Sequence, residues 1–272
     1  MKKSIIWVLA IIITLGSAYY QRKTGPTYPK KVSIELNGNT LNFKLPRSAE
    51  TGSNLKITIP KTDTTTQVTL FYKRYPVNES FVSTQFTNQN NEQVSYLPWQ
   101  PPAGKLEYYL CFSNSTTQQE IKTEPVVIRF KGIVPTWALL PHVLFMFIAM
   151  LLSNLAGLFA IAKTKEHIFY GRLTLFLLLL GGLIFGPIVQ HFAFGQAWTG
   201  IPLGWDLTDN KTLIAVLFWL VAVLANRKNP KYRNTIIAAA VLFLIYIIPH
   251  SLLGSELDYE SGKVVTGIIS LF

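Results

Sequence analysis

The sequence has little charge, one cysteine and three methionines. Cys111 stands alone, which excludes an internal disulfide framework and a cysteine-rich zinc or iron–sulfur site. No CxxCH motif is present, so a covalently attached c-type haem is not expected. So few soft ligands also disfavour a copper relay. Only 14% of the 272 residues are charged, whereas soluble domains carry about a quarter.

Recognised catalytic and nucleotide-binding motifs are missing as well. The sequence has no Walker A motif, no GxSxG, no HExxH, and no GxGxxG after a strand. Whether the chain is an enzyme therefore stays open, and a role without catalysis is favoured.

What the sequence does contain is typical of a polytopic membrane protein. Hydrophobic residues make up 49% and the net charge is +11. The mean hydropathy is +0.29 and the isoelectric point is near 9.6. High hydropathy with excess Lys and Arg is what a membrane protein with basic cytoplasmic loops shows. The same composition excludes disorder, collagen and coiled coil.

The first segment, residues 1–20, has two interpretations. Two lysines precede an apolar run over 5–15, followed by small residues and a tyrosine pair. A basic start, a short apolar run and small residues describe a cleavable signal peptide. We favour an uncleaved transmembrane anchor of about 16 residues, near the lower limit for spanning, with the tyrosines at the interface.

Residues 31–131 are rich in Thr, Ser, Asn, Gln and β-branched residues. Alternating runs flank Asn37-Gly38-Asn39, a pattern typical of a hairpin because these residues tolerate positive φ. The alternating runs cover residues 32–36, 41–45, 55–59, 67–72, 81–86, 94–97, 105–112 and 125–130. Short strands at this density predict an extracytoplasmic immunoglobulin-like or fibronectin-like β-sandwich. Such a fold does not by itself indicate a biochemical activity.

Long apolar runs occupy residues 133–254. Four spans are predicted, at residues 137–162, 168–190, 209–225 and 235–253. Gly182 and Gly186 form a GxxxG pair, which favours close helix packing over a specific dimer. The predicted fold class is thus α+β: a β-sandwich followed by a four-helix transmembrane bundle, with the N-terminal anchor or signal segment ahead of them.

The distribution of basic residues predicts the orientation. Nine of them, opposed only by Glu166, lie at the N-terminus and after the first and third spans: Lys2, Lys3, Lys163, Lys165, Arg172, Arg227, Lys228, Lys231 and Arg233. The positive-inside rule places these segments in the cytoplasm. The β-sandwich, the loop 191–211 and the tail 255–272 are therefore predicted on the outer side. The positive charge orients the chain, and no nucleic-acid partner is expected.

Three of the four histidines are predicted near the outer face. His142 lies in the first span, His191 ends the second, and His250 lies near the end of the last. Neutral imidazoles from three helices suit a transition metal, and two of them suit the axial positions of haem b. The alternative is that each histidine only bonds a neighbouring helix. The fourth, His167, is interpreted as an interfacial residue.

The loop 191–211 combines three glycines, a proline, two tryptophans, two phenylalanines and two aspartates. This composition predicts a structured cap on the membrane surface. Thr208 or Asp209 is expected to cap the third span. Asp206 is interpreted as a metal ligand, or as a partner that holds a histidine tautomer. The remaining candidates for pocket or partner contacts are Gln190, Gln196, Trp198, Trp205 and, in the β-sandwich, Trp99.

These observations lead to two principal expectations, both for a multi-pass protein of the bacterial inner membrane with its β-domain and C-terminus on the periplasmic side. The first is an accessory or electron-transfer component of an envelope redox system, with haem b or a metal near the outer face. The second is a non-enzymatic interaction or assembly protein whose β-sandwich binds an envelope protein complex. A small membrane enzyme that uses Asp206 and a histidine as an acid–base pair is the third and least favoured.

Overall fold

The structure is a computed structural model that describes residues 2–36, 38–115, 118–249 and 254–265. The fold is α+β, with two compact units. Within the described ranges, the helical unit comprises residues up to 26 and from 134 to 255. The β unit comprises residues 27–133 and 256–265.

Five helices are described in the helical unit: α1 Lys3–Thr24, α2 Thr136–Ile161, α3 Glu166–Phe194, α4 Leu207–Lys228 and α5 Tyr232–Ile247. The first four are long and apolar enough to cross a membrane, which indicates a membrane protein. Helix α5 has 16 residues, fewer than the span predicted over 235–253. Residues 250–253 of that prediction lie outside the described residues.

Helix α3 contains a π-helical turn, Leu179–Phe185. The backbone N–H of Gly186 bonds to the Gly181 carbonyl, five residues earlier. Pro187 follows directly, and a proline ring inside an α-helix crowds the carbonyl four residues before it. The wider turn accommodates the proline and inserts one extra residue into the helix.

Helix α1 packs against α2 along one face. The buried residues Ile6, Ala10, Thr14 and Ser17 recur along α1 at helical spacing. Asn154 of α2 donates from Nδ2 to the Thr14 hydroxyl at 2.9 Å. Polar bonds between helices hold membrane bundles together where lipid supplies no hydrophobic drive. These contacts support the interpretation of residues 1–20 as an anchor, which stays a prediction.

Thirteen strands are described in the β unit: β1 Lys30–Leu36, β2 Asn39–Leu45, β3 Ser48–Glu50, β4 Leu55–Pro60, β5 Thr66–Arg74, β6 Val82–Gln85, β7 Thr87–Gln89, β8 Glu92–Leu97, β9 Lys105–Asn114, β10 Glu120–Lys122, β11 Val126–Lys131, β12 Glu256–Leu257 and β13 Val264–Val265. The largest sheet has the order β3-β11-β9-β5-β6, with β10 paired to β9. A second sheet has the order β4-β8-β7, and β1-β2 and β12-β13 are separate pairs. Pairing is antiparallel except between β3 and β11.

Alternation along the strands builds one core. Leu106, Tyr108, Leu110 and Phe112 of β9 are buried, each two residues from the next, as the period of a strand requires. They share the core with residues of β2, β4, β5, β8 and β11. The predicted β1–β2 hairpin is confirmed, with Leu36 paired to Asn39 and Gly38 at φ +78°. Asn37 lies outside the described residues.

Residues 256–265 belong to the β unit and form the β12–β13 hairpin. Glu256 pairs with Lys105 of β9. The Tyr259 hydroxyl accepts a hydrogen bond from the Lys105 backbone N–H at 2.9 Å and donates to its carbonyl at 2.8 Å. Burial raises the pKa of Tyr259, so the hydroxyl keeps its proton at neutral pH. The described part of the tail is therefore bonded to β9 and is not a free extension.

Candidate functional site

The α3–α4 loop, residues 195–206, is attached to the helical unit by two buried carboxylates. The first is Asp206, which is 4% exposed. Its Oδ1 accepts hydrogen bonds from the backbone N–H groups of Thr208 and Asp209, at 2.8 and 3.3 Å. Asp206 is thus the N-cap of α4, and the expectation that Thr208 or Asp209 fills this position is wrong. Helix α4 begins at Leu207, earlier than the apolar run suggests, so the side chain that accepts from its first N–H groups is that of Asp206.

The second oxygen of Asp206 is also occupied. Oδ2 accepts from the Ser255 backbone N–H at 3.2 Å and from its hydroxyl at 3.3 Å. Ser255 is 2% exposed, so these two hydrogen bonds pair buried polar groups with this carboxylate. With four donors around it, Asp206 holds α4 and residue 255 together, and it has little capacity left to bind a metal.

The second carboxylate, Asp209, is 5% exposed and faces the loop. Its Oδ2 accepts from the Thr199 backbone N–H at 2.6 Å, the Thr199 hydroxyl at 3.1 Å and Gln190 Nε2 at 3.1 Å. Gln190, a predicted pocket residue, also donates to the Thr199 hydroxyl at 2.6 Å. Asp209 therefore joins the end of α3, the loop and α4.

A buried lysine completes this end of the helical unit. Lys211 is 6% exposed, and its Nζ donates to the carbonyls of Ile248 and Pro249, at 3.0 and 3.4 Å. These carbonyls follow the end of α5, where the helix leaves its last carbonyl groups without helical partners. A cation at this position is favourable because the C-terminus of a helix carries partial negative charge. Sequence reasoning did not select Lys211.

The loop between these anchors is compact. The Gly200 carbonyl accepts from the backbone N–H groups of Leu203 and Gly204, at 2.8 and 2.9 Å, and Ile201 N–H donates to Asn210 Oδ1 at 2.8 Å. A Cβ on Gly200 would lie 2.7 Å from the Cβ of Asp209, so glycine is required for this approach. At the tip, Leu203 is 75% exposed and Trp205 is 76% exposed. A well-bonded loop thus presents two large apolar side chains.

His142 is bonded through one ring nitrogen. Its Nδ1 lies 2.8 Å from the Gly181 carbonyl in the π-helical turn. A carbonyl only accepts, so Nδ1 carries the proton and Nε2 keeps a free lone pair. This is the tautomer that a metal-binding histidine adopts when a carbonyl orients it.

The other predicted residues that the structure describes differ in their exposure. His191 is exposed near the end of α3, with its ring 6.0 Å from that of Phe192. His250 lies outside the described residues. Gln196 and Trp198 are half-buried in the α3–α4 loop, and Trp99 of the β unit is 47% exposed. In the part of the chain that the structure describes, no three His, Cys, Asp or Glu side chains are grouped as metal ligands.

His167 is buried within the helical unit, and its interpretation as an interfacial residue stays a prediction. It is 1% exposed, and its Nδ1 lies 2.8 Å from the Thr235 hydroxyl. Asn226 donates to the same hydroxyl at 3.0 Å. The sequence does place His167, Asn226 and Thr235 near the ends of three predicted helices. It does not show which of these helix ends lie together, so the contacts of His167 could not be predicted.

Comparison of the chain with protein-family models, with curated proteins and with solved structures finds no match. The chemistry of the site therefore rests on its geometry. Two carboxylates and a glutamine hold the α3–α4 loop, and Leu203, Trp205 and His142 Nε2 are among the groups left available to a partner or ligand.

Proposed function

We propose that the chain is a non-enzymatic interaction or assembly protein of the bacterial inner membrane. Its β unit is interpreted as an immunoglobulin-like or fibronectin-like sandwich. The β unit and the α3–α4 loop lie on the periplasmic side, in agreement with the basic residues predicted in the cytoplasm. Its partner is a protein complex of the envelope, and the α3–α4 loop is a contact site.

The observation that carries this proposal is the exposure of Leu203 and Trp205 on a loop with a fixed backbone. Both side chains are about three-quarters exposed, while Asp209, which holds the base of the loop, is buried. Aromatic and aliphatic anchors dominate the energy of interfaces. A preformed loop loses little conformational entropy on binding, which raises affinity.

The polar residues of the loop support the same function. Each oxygen of Asp206 accepts two hydrogen bonds inside the helical unit, and Asp209 accepts three. Hydrogen bonding inside the helical unit therefore accounts for the burial of both carboxylates without a catalytic role. Their contacts order the loop.

The test is site-specific photo-crosslinking in cells, with p-benzoylphenylalanine in place of Leu203. We expect a discrete protein adduct, because an interface anchor is buried against its partner. The double variant Leu203→Ser/Trp205→Ser should weaken co-purification of that protein at least 30-fold, which is about 2 kcal/mol.

The matched control is Tyr20→Ser, which removes an aromatic side chain that is 51% exposed on α1. It should leave co-purification unchanged. Adducts to lipid alone would contradict a protein partner and would place the loop in the headgroup region, where tryptophan is also favoured.

A redox accessory is the second candidate, and one observation favours it. His142 donates from Nδ1 to Gly181, so Nε2 is free to bind haem b or a metal. If this is the function, the purified protein should show a Soret band or a stoichiometric metal, lost in His142→Ala. An optical spectrum without a Soret band, together with a metal content near zero, would contradict it.

A further inference from the structure

A second polar site lies at the other end of the helical unit, where α3 and α5 begin and α4 ends. A small cleft there is open to solvent at its rim and has room for about one water-sized group, such as a single phosphate oxygen. Its polar lining consists of His167, Arg172, Trp219, Asn226 and Thr235. Four of these are buried, and Arg172 is exposed.

The acceptors in the cleft are already used. Asn226 Oδ1 accepts from the Lys231 backbone N–H at 2.9 Å and from Asn234 Nδ2 at 3.1 Å. The Thr235 hydroxyl accepts from Asn226 Nδ2 at 3.0 Å. No other described group accepts the single hydrogen of this hydroxyl, so the hydroxyl donates to His167 Nδ1 at 2.8 Å and that nitrogen accepts. The ring of His167 therefore carries its proton on Nε2.

Several N–H groups of the cleft residues have no hydrogen-bond acceptor among the described residues. The Trp219 indole N–H is buried without a hydrogen-bond partner among the described residues, and Trp219 is 1% exposed. His167 Nε2–H and the second N–H of Asn226 Nδ2 are likewise left over once the bonds above are assigned. Arg172 forms no hydrogen bond or ion pair with another described residue. Buried donors without acceptors are costly, and a ligand that only accepts would satisfy them.

The electrostatic field at the cleft favours the same kind of ligand. His167 lies in the first turn of α3, and Thr235 lies in the first turn of α5. The N-terminus of a helix carries partial positive charge and binds anions. The neighbouring carboxylate, Glu166, is paired with Lys3 at 2.7 Å. The C-terminus of α4 also borders the cleft and carries partial negative charge, which the two N-termini oppose.

We infer that this cleft binds a phosphate group, with one anionic oxygen among His167, Asn226 and Trp219. Arg172 at the rim binds the remaining oxygens, since a guanidinium matches phosphate in a two-bond geometry. The phosphate comes from a lipid headgroup or from free phosphate. This site is independent of the α3–α4 loop and of the function proposed for it.

The full chain labelled with 5-fluorotryptophan and purified in dodecyl maltoside, which contains no phosphate, provides the test. The chain has six tryptophans, and Trp219→Phe assigns the ¹⁹F resonance of Trp219 by its disappearance. One titration uses inorganic phosphate and another uses dihexanoyl-phosphatidylglycerol, each at constant ionic strength set with sodium chloride. Dihexanoylglycerol, which lacks the phosphate, is the lipid control.

We expect a saturable shift of the Trp219 resonance, because its N–H gains an acceptor. A shift with inorganic phosphate identifies the free ion as a source, and a shift with the phospholipid alone identifies the headgroup. No shift with either would overturn the proposal, as would an equal shift with dihexanoylglycerol.

Arg172→Gln should weaken binding about tenfold, since it removes a charged hydrogen-bond partner. Arg227→Gln, the matched control, removes a basic residue of α4 that is exposed and does not line the cleft, so binding should be unchanged. Equal weakening in the two variants would show general attraction to a basic surface and would contradict a site. If Arg172→Gln does not fold, Arg172→Lys is the second variant, because it keeps the charge but lacks the planar guanidinium. It should also weaken phosphate binding. Unchanged binding in this variant would contradict the role of Arg172.

Discussion

Asp209→Ala is expected to release the α3–α4 loop and to lower the free energy of unfolding of the helical unit by about 3 kcal/mol. The variant removes the carboxylate that accepts from the Thr199 backbone N–H, and Thr199 is buried. A buried donor left without an acceptor costs about 1–3 kcal/mol, and hydrogen bonds to a charged group are the stronger ones. Limited proteolysis of the detergent-solubilised protein should show new cleavage within residues 195–206, together with a lower thermal midpoint.

Two further variants calibrate this prediction. Asp209→Asn keeps one oxygen as an acceptor and should lose less than half as much stability. Asp63→Ala in the β unit removes an exposed carboxylate that bonds the Thr65 backbone N–H at 3.1 Å, so its effect should stay below about 1 kcal/mol. An uncleaved loop in Asp209→Ala would mean that the backbone bonds within the loop suffice to hold it.

Gly182→Ala is expected to destabilise the helical unit by about 2 kcal/mol. A Cβ on Gly182 would lie 2.6 Å from Cγ2 of Thr212, on the facing helix α4. Threonine in a helix has few rotamers to offer, so α3 and α4 would have to separate. Unfolding in sodium dodecyl sulfate, followed by circular dichroism, measures the loss.

Gly186→Ala is the matched control from the same GxxxG pair. A Cβ at Gly186 would meet its nearest atom, the Gly181 carbonyl oxygen, at 3.5 Å, which is ordinary contact. This variant should therefore change stability by less than about 0.5 kcal/mol. Equal losses of stability in Gly182→Ala and Gly186→Ala would contradict the idea that a Cβ at Gly182 forces α3 and α4 apart.

Much of the architecture could be predicted from the sequence because its patterns are local. The alternating runs at 105–112 and 67–72 lie in the paired strands β9 and β5. The apolar run at 137–162 agrees with α2, Thr136–Ile161, to within one residue at each end. A strand or a span needs only its own residues to set its period. The described part of the tail was different, since its place beside β9 depends on contacts with Lys105, about 150 positions earlier.

The site was predicted less well because its contacts join distant segments. Asp206 and Asp209 are three residues apart, and composition alone does not say which of them caps α4. Asp206 also bonds Ser255, which lies 49 positions further along the chain. The hydrogen-bond partner of His167 could not be predicted for a similar reason, because Thr235 lies in the first turn of another helix.

The π-helical turn Leu179–Phe185 has a consequence for comparing chains of this architecture. One extra residue in a helix rotates everything after it by about 100°, so the faces of α3 before and after the turn are out of phase. Gln190, beyond the turn, reaches Asp209 only in this rotated phase. A chain without the extra residue could keep the same apolar pattern, but its residue equivalent to Gln190 would face away from the residue equivalent to Asp209. In an alignment, the decisive difference between two such chains would therefore be a one-residue gap, and no substitution would reveal it.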